Sequence, residues 1–450
     1  MKLKKFLPLL LGVLMPTFAL AQEQNEEPIQ LQAEHEHHAV PADSTAHHRH
    51  GRHHHGDKDT KFSWGPINDK YVESDVVRLD DKKGFTLQTR AGDFLLKPYV
   101  LVQTAATVNY YDDEGLDLAD QDNIANSGFS IPYGIIGFSG KAFRKLTFNV
   151  AINAAKSGAD LLQQAWFDIN VNDAFRIRAG KFKVPFAQGY LVTLGETMFP
   201  SMPLSLTTTA NVDMSLNSAN PTVGMGFDLG LQFHGLVKDK FQYQVGFFNG
   251  SAGTNSATKT MSDDHKWLPS LLYAARVAYM PFGVMPGHQG NPTDLDNNKL
   301  LFGVAANYNV EAEDESSNDL RLGAEASWLF KRFFFSGEFY YLRMNWQKKM
   351  MNYAPDFNLI GGYAQAAYFV LPKMQVALRY DWFNRNGLKK NGYLNDASVG
   401  INYFFVNYNL KLQVMYQYMG KANHDTQGDR DNDDYGIPTH KGMALLQYTF

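Results

Sequence analysis

The sequence predicts an all-β fold: a transmembrane antiparallel β-barrel of about 16 strands, preceded by a disordered, histidine-rich N-terminal tail. Three observations predict it. The chain begins with a secretory signal, and no later segment is apolar enough for a membrane-spanning helix. From about residue 92 onward, short segments alternate polar with apolar side chains. The joints between these segments alternate between tight turns and longer loops.

The N-terminus has the three parts of a secretory signal peptide. Three lysines stand among the first five residues, residues 6–15 are apolar, and Ala19-Leu20-Ala21 is a small-x-small cleavage site. We expect cleavage after Ala21. Removing the three lysines takes the formal charge from -4 to -7. A chain of this charge without basic patches is not expected to bind nucleic acid.

The sequence divides into four parts. Residues 1–21 are the signal peptide, and residues 22–61 form a low-complexity segment that holds nine of the fourteen histidines. This segment lacks an apolar period, so it is predicted to be disordered. Residues 62–91 are transitional, and residues 92–450 form the predicted barrel. Because a bilayer leaves no water for backbone groups, a chain without apolar helices can cross it as a closed sheet.

The predicted strands have one apolar and one polar face. Phe148, Val150 and Ile152, for example, alternate with polar or small neighbours, which is the two-residue period of a sheet between two different solvents. The predicted strands lie near 95–110, 129–139, 145–154, 161–171, 174–183, 224–235, 240–249, 271–281, 299–310, 319–330, 332–345, 357–370, 373–383, 393–404, 407–419 and 440–450.

The joints favour a membrane barrel over a soluble sandwich. One set is tight, and the other set is mostly longer and acidic, as in bacterial outer-membrane barrels. One joint, at 282–298, breaks the pattern because it is long where a tight turn is expected. The tight joints are 140–144, 172–173, 236–239, 331–332, 372–373 and 406–407, and the longer ones are 111–128, 184–223, 250–270, 311–318, 346–356, 384–392 and 420–439.

The C-terminal residues also favour a barrel of the outer membrane. Leu446, Tyr448 and Phe450 share one face of the last predicted strand, and the chain ends on an aromatic residue. This pattern resembles the C-terminal strand signal of outer-membrane barrels. The sequence therefore predicts a protein of the outer membrane, with the lipid bilayer as a partner.

One stretch carries a family resemblance. Residues 165–168 (Ala-Trp-Phe-Asp) lead into residues 175–186, which end in Gly-Lys-Phe-Lys-Val-Pro-Phe. This motif resembles the G-x-F-K-x-P-F signature of the phosphate-selective porin O and P family, and residues 84–87 and 92–94 resemble that family's approach to its first strand. The resemblance implies a sixteen-stranded, homotrimeric pore that passes anions. It also implies a long third loop, here 184–223, that folds inward.

The charges near the predicted constriction do not match phosphate capture. A multivalent anion exchanges its water for charge-assisted hydrogen bonds, which calls for Arg and Lys side chains. The segment 184–223 contains no Lys or Arg, but it does contain Glu196 and Asp213. Several outer loops are acidic as well, and acidic mouths repel anions. The residues alone therefore predict passage of small hydrophilic solutes and leave open whether anions such as phosphate are favoured.

Charged residues on the polar faces of the strands are the candidate pore-lining groups. A charge facing lipid near the bilayer centre costs about 2–4 kcal/mol, so these positions are expected to face the lumen. An alternative is a set of ion pairs that stiffens the wall and binds no solute. Lys181 and Lys183 have the opposite parity, which predicts either a bulge near Gly180 or lysines at the rim. The candidates are Arg176, Arg178, Arg276, Arg321, Arg379, Lys411, Asp168 and Asp228, with Glu196 and Asp213 in the loop and Glu325, Glu338 and Asp381 on the same strand faces.

The histidine-rich segment could bind Zn, Ni or Cu through neutral imidazoles. An alternative function is therefore a metal-binding module that the barrel anchors, and a third interpretation is a solubilising periplasmic spacer. The candidate ligands are His35, His37, His38, His47, His48, His50, His53, His54 and His55. No resident cofactor is predicted elsewhere, and the motifs G-x-S-x-G, H-E-x-x-H and the P-loop are missing. We predict a passive outer-membrane porin and not an enzyme.

Overall fold

The computed structural model describes residues 77–80, 84–89, 93–110, 125–206, 226–250, 269–290, 292–293, 295–310, 317–346, 357–384, 393–421 and 440–450. The predicted signal peptide, the histidine-rich segment 22–61 and Asp213 lie outside these ranges. Among the described residues, no helix is long and apolar enough to cross a membrane.

Antiparallel strands close into one barrel. Its first strand, β3, pairs with its last, β19, from Leu101 opposite Thr449 to Tyr110 opposite His440. The barrel has sixteen strand positions, which confirms the predicted fold and strand number. The strands are β1 (Val77–Asp80), β2 (Gly84–Gln88), β3 (Leu95–Tyr110), β4 (Ala125–Ser130), β5 (Gly134–Ala142), β6 (Leu146–Asn153), β7 (Leu162–Asn172), β8 (Phe175–Lys183), β9 (Phe227–Val237), β10 (Phe241–Phe248), β11 (Leu272–Tyr279), β12 (Asn298–Asn309), β13 (Ser317–Phe330), β14 (Phe333–Trp346), β15 (Phe357–Leu371), β16 (Met374–Asn384), β17 (Tyr393–Val406), β18 (Leu410–Lys421) and β19 (His440–Thr449).

The second barrel strand is split into β4 and β5, whereas the sequence predicts one strand there. Both pieces pair with β3. Pro132 lies in the break and has no N–H for the ladder. Three residues stand between Ser130 and Gly134, against two between their partners on β3, so the break is a β-bulge. Its Tyr133 carbonyl still accepts a hydrogen bond from the Gln103 N–H at 2.9 Å.

A hairpin precedes the barrel within the segment that the sequence analysis treats as transitional. Strands β1 and β2 pair from Val77 opposite Leu87 to Asp80 opposite Gly84. The hairpin then joins the start of β3 through two residue pairs, which end at Gln88 opposite Leu95. The hairpin therefore extends the sheet at the end where β3 begins.

The tight turns lie on one side of the barrel, and two of them contain successive residues in the left-handed backbone conformation. Phe143 and Arg144 have φ values of 53° and 62°, and Lys238 and Asp239 have 53° and 54°. Two successive residues with positive φ are typical of primed hairpin turns, whose twist matches that of the flanking strands. We call this the tight-turn side, and the opposite side the long-loop side.

The outer face of the barrel is apolar and exposed. On β12, Phe302 and Val304 are 50 % and 61 % exposed, while Leu301 and Ala305, which flank this pair, are buried inside. An exposed apolar face around a closed barrel suits the hydrocarbon of a bilayer. The inner face, in contrast, packs against chain that folds into the barrel: Met198 and Phe199 share a buried cluster with Met280 and Met285.

Candidate functional site

Residues 184–206 leave β8 and fold into the barrel; we call them the inner segment. Its first helical turn, α1 (Gln188–Leu191), points its first N–H groups at two carboxylates. The Gln188 N–H donates to Glu325 Oε2 at 2.7 Å, and the Gly189 N–H donates to Glu338 Oε1. Charge-assisted hydrogen bonds of this kind are about twice as strong as neutral ones. The two acids therefore fix the start of the inner segment.

Arg276 completes the same anchor from β11. Its Nε donates to Glu325 Oε1 at 2.9 Å, and its Nη2 donates to Gln188 Oε1 at 2.8 Å. The guanidinium also contacts the side-chain oxygens of Gln242 and Gln244 at 2.9 and 3.1 Å. Arg276 is buried, so this cation neutralises Glu325 and holds the inner segment instead of facing open lumen.

Glu338 has tyrosine partners. Tyr340 and Tyr363 each donate a hydroxyl hydrogen bond to it at 2.7 Å. The packing leaves no room at Gly189, where a Cβ would lie 2.4 Å from the Tyr363 hydroxyl and 2.9 Å from Glu338. Glycine is therefore required where the inner segment meets the wall.

The middle of the inner segment is held through its carbonyl groups. Lys411 and Gln413 donate to the Thr197 carbonyl at 3.1 and 3.0 Å. Asn402 donates to the Met198 carbonyl at 2.8 Å. These wall side chains satisfy backbone acceptors that would otherwise be buried without partners.

Two charged residues of β16 bind the last part of the inner segment. Arg379 donates to the Ser201 carbonyl at 2.8 Å, and its guanidinium lies 4.6 Å from the centre of the Phe199 ring. Asp381 accepts the Ser205 N–H at 3.1 Å. Both charged groups are buried.

Other predicted lumen charges are buried as well. Asp228 accepts the Leu229 N–H at 2.8 Å and the Gly250 N–H at 2.7 Å, so it stabilises the end of a loop. Arg321 is buried in the inner wall. Glu196 lies half-buried in the inner segment, and burial raises the pKa of its carboxyl above the usual value of 4.5, against the opposing effects of Thr193 and Lys411.

A second stretch of chain enters the barrel from the tight-turn side. Residues 280–290, which we call the turn segment, are the first part of the joint that broke the predicted pattern of turn lengths. The Thr193 N–H donates to the Gly287 carbonyl, and the Gln289 N–H donates to the Glu196 carbonyl, both at 2.9 Å. The inner and turn segments are therefore bonded to each other inside the barrel.

Arg176, Arg178 and Asp168 form one cluster, as their shared strand faces predict. Asp168 is fully buried and accepts from Arg176 Nε at 2.8 Å and from Arg178 Nη2 at 2.9 Å. His234 Nε2 lies 2.7 Å from the same carboxylate. The side chains of Arg176 and Arg178 keep 29 % and 25 % exposure, unlike the buried cations Arg276, Arg379 and Lys411 that hold the inner segment.

Two lysines share this inner face near the tight-turn side. Lys141 pairs with Thr147, whose hydroxyl lies 3.4 Å from Arg176 Nη2. Lys97 lies two residues before Tyr99, whose hydroxyl donates to Asn149 Oδ1 at 2.9 Å inside the barrel. We call Lys97, Lys141, Arg176 and Arg178 the basic arc.

Burial differs between the two parts of the inner wall. On β3–β9, several polar side chains stay half-exposed, whereas those on β11–β18 are buried against the inner and turn segments. The half-exposed group includes Tyr99, Asn149, Gln164, Trp166, Arg176, Arg178 and His234. The buried group includes Arg276, Arg321, Glu325, Glu338, Gln365, Gln375, Arg379, Asp381, Asn402, Lys411 and Gln413. Solvent therefore reaches the lumen wall along the basic arc.

Lys181 and Lys183 bind backbone carbonyls. Strand pairing keeps its register through Gly180, so there is no bulge, although Gly180 has a φ of 122°. Lys181 Nζ donates to the Ala159 carbonyl at 3.0 Å, and Lys183 Nζ donates to two inner-segment carbonyls at 2.8 and 2.9 Å. Gly180 cannot carry a side chain, because a Cβ would lie 2.2 Å from the Ala165 carbonyl oxygen.

Comparison with known protein families decides the identity. The profile of the family described as phosphate-selective porin O and P matches residues 102–450. The chain belongs to this family. It is an outer-membrane porin that allows passive diffusion of small hydrophilic solutes.

Three solved structures of low sequence identity are similar to this chain. OmpF of Salmonella typhi, in complex with daunomycin, has 12 % identity and a TM-score of 0.51, over 80 % of this chain and 98 % of that one. OmpT of Vibrio cholerae has 10 % identity and a TM-score of 0.49, over 79 % and 99 %. The channel DcaP of Acinetobacter baumannii has 12 % identity and a TM-score of 0.48, over 81 % and 99 %. A search of curated proteins gave no match.

The porin motif has a structural explanation. Gly180 permits the close approach to β7, Lys183 binds the inner segment, and Phe186 is buried with its ring 6.1 Å from that of Tyr340. The motif thus forms the point where β8 ends and the inner segment turns into the lumen. The sequence pattern did not single out Gln289 and Asn402, whose amide side chains also bind the inner segment at Met198.

Proposed function

We propose that this porin favours small anions and that solutes meet their main cationic wall at the basic arc. Asp168 neutralises one of the two guanidinium groups that it binds, so the cluster keeps a net positive charge. Lys97 and Lys141 add to that charge on the same face. A phosphate or carboxylate group would receive charge-assisted hydrogen bonds from the exposed edges of these side chains. The single observation that carries the proposal is the partial exposure of Arg176 and Arg178.

Three buried cations of the inner wall do not oppose this assignment. Arg276, Arg379 and Lys411 hold the inner segment and are buried, so a passing solute would not contact them. The acidic residues of the outer loop 111–124 lie outside the described residues, and they would lower the anion concentration at the mouth without removing the inner site. The preference is therefore set inside the barrel.

Several companion proposals follow from family membership. We propose that the protein is a homotrimer, that it is a channel without enzymatic activity, and that its tight turns face the periplasm. Cleavage after Ala21 would release the mature chain into the periplasm for insertion. Mass measurement of the purified membrane protein and cross-linking of the native oligomer test these points.

The test of anion preference is the reversal potential of the purified protein in a planar bilayer under a KCl gradient. We expect the reversal potential to shift toward the equilibrium potential of chloride, which indicates anion preference. We also expect the current to fall as phosphate is added. The double variant Arg176→Gln, Arg178→Gln should lose most of the preference. Lys156→Gln is the matched control, because it removes one exposed cation at the opposite end of β6. Cation-sided reversal of the unmodified protein, or an unchanged preference in the double variant, would refute the proposal.

A second function is proposed for the histidine-rich segment, which lies outside the described residues. Nine histidines within 35–55 favour binding of Zn, Ni or Cu. Titration calorimetry with each metal should show binding that is lost on deletion of residues 22–60. The described residues contain no group of three or more metal-binding side chains. If the deletion leaves metal binding unchanged, the segment is a spacer.

A further inference from the structure

The turn segment is long because it fills space inside the barrel. Met280 and Met285 are buried in the same cluster as Met198 and Phe199 of the inner segment. Gln289 is also buried. A connection between β11 and β12 needs only a few residues, as the other joints on the tight-turn side show. The additional chain therefore has a role inside the barrel.

Gln289 makes three contacts that join the turn segment to the rest of the structure. Its N–H donates to the Glu196 carbonyl, and its Oε1 accepts the Met198 N–H, both at 2.9 Å. Its carbonyl accepts from Gln375 Nε2 on the wall at 3.2 Å. One side chain and its backbone thus connect the turn segment, the inner segment and β16.

The contacts of Gln289 extend into a buried network of neutral amides. Asn402 donates to Gln375 Oε1 at 2.8 Å and to the Met198 carbonyl at 2.8 Å. Gln413 donates to Asn402 Oδ1 and to the Thr197 carbonyl, both at 3.0 Å. Next to Gln289, the Gly290 carbonyl accepts the hydroxyl of Tyr408. Neutral amides, together with the Lys411 ammonium group that also binds the Thr197 carbonyl, hold this part of the lumen in one arrangement.

Little space remains between the two segments and the wall. The cavity there measures about 10 Å³ and is lined by Val192, Met285, His288, Ser327 and Phe334 among others. A space of this size holds about one water molecule. A solute larger than water does not fit into this cavity.

We propose that the turn segment is a second constriction element, that Gln289 positions it, and that it confines solutes to the side of the lumen carrying the basic arc. This inference rests on the proposed anion passage along that arc. A barrel of sixteen strands encloses an aqueous channel when loops do not fill it. The inner segment narrows this barrel from one side, and the turn segment fills the part of the lumen beside β13, β14 and β16 from the tight-turn side. Together they bring solutes to Arg176 and Arg178.

The first experiment replaces residues 285–290 with the same number of Gly and Ser residues. Single-channel conductance should rise about twofold or more, and larger neutral sugars should enter proteoliposomes, because a wider lumen admits them. The anion preference should fall, since solutes would gain a route away from the basic arc. Gln289→Ala should have the same three effects: higher conductance, faster sugar entry and lower anion preference. Gln365→Ala is the matched control: it is a buried wall amide bonded to Ser336.

A labelling experiment tests the same inference without conductance. The chain has no cysteine, so Ser327→Cys introduces a single thiol at a buried position beside the turn segment. A water-soluble thiol reagent should label it slowly in the native background and much faster when residues 285–290 are replaced. Equal labelling rates and equal conductance would overturn the inference. Absence of channels in the unmodified protein would instead refute the proposed function, so the two failures are distinguishable.

Discussion

Glu325 and Glu338 lie directly opposite each other on β13 and β14, and each accepts one of two successive backbone N–H groups at the start of α1. Two like charges in this position repel each other across the pair. The repulsion is offset by Arg276 on one side and by the hydroxyl groups of Tyr340 and Tyr363 on the other. The two carboxylates therefore form one binding site for the start of the inner segment.

This arrangement separates two uses of charge inside one barrel. Fully buried charges bind backbone groups of the inner segment and fix its path, whereas the partly exposed Arg176 and Arg178 remain available to solutes. A rigid constriction needs the first set, and attraction of an anion needs the second. The four predictions below test these assignments separately.

Gly189→Ala should displace the start of the inner segment. Its new methyl group would lie 2.4 Å from the Tyr363 hydroxyl, and overpacking of this kind costs about 1–3 kcal/mol. We expect higher single-channel conductance and a lower urea midpoint, followed by the electrophoretic shift of folded and unfolded protein. Gly128→Ala is the control, because a Cβ there would have no neighbour within 4 Å. Equal behaviour of the two variants would show that Gly189 is not a close-packed anchor.

Arg276→Met should destabilise the barrel strongly. The change leaves Glu325 buried opposite Glu338 without its cation, and breaking a buried pair costs about 3–5 kcal/mol. Glu325→Gln combined with Arg276→Met should recover part of that loss, because it removes the unpaired charge. Urea unfolding of the two single variants and the double variant gives the coupling energy. Strictly additive effects would mean that the two residues act independently.

The sequence predicted the barrel well because its signals are local. Alternation with a period of two places Arg276, Arg379 and Lys411 on the inner face without any knowledge of the tertiary structure. Their partners could not be predicted, since Lys411 binds Thr197 from 214 positions away. Pattern recognition also identified the long joint at 282–298, but nothing in its composition showed that Gln289 points into the barrel. The split of the second strand at Pro132 was missed, although proline is the residue type that could have indicated it.

Stability should depend on pH through Glu196. Burial raises the pKa of this carboxyl, so the folded protein binds the proton more tightly than the unfolded chain does. The contribution of Glu196 to the free energy of unfolding is therefore fully present below its pKa in the unfolded chain, near 4.5. It is lost as the pH rises through its pKa in the folded protein. The charged or titratable neighbours are Lys411 and Tyr408. The urea midpoint of the native protein should fall as the pH rises through this range, whereas the urea midpoint of Glu196→Gln should not show this fall. Identical pH profiles would contradict the prediction.

Asp168→Asn should raise anion preference while lowering stability. The amide keeps an acceptor for Arg176 and Arg178 but removes the negative charge that offsets them, so the basic arc gains one net positive charge. The reversal potential should therefore move further to the anion side. Because the two guanidinium groups then lose their counter-charge but remain partly exposed to solvent, unfolding should become easier by about 1–3 kcal/mol. Asp173→Asn, in the exposed turn that follows β7, removes the same charge away from the cluster and should change neither quantity. A fall in anion preference for Asp168→Asn would mean that the carboxylate orients the two arginines for solute binding and does more than neutralise them.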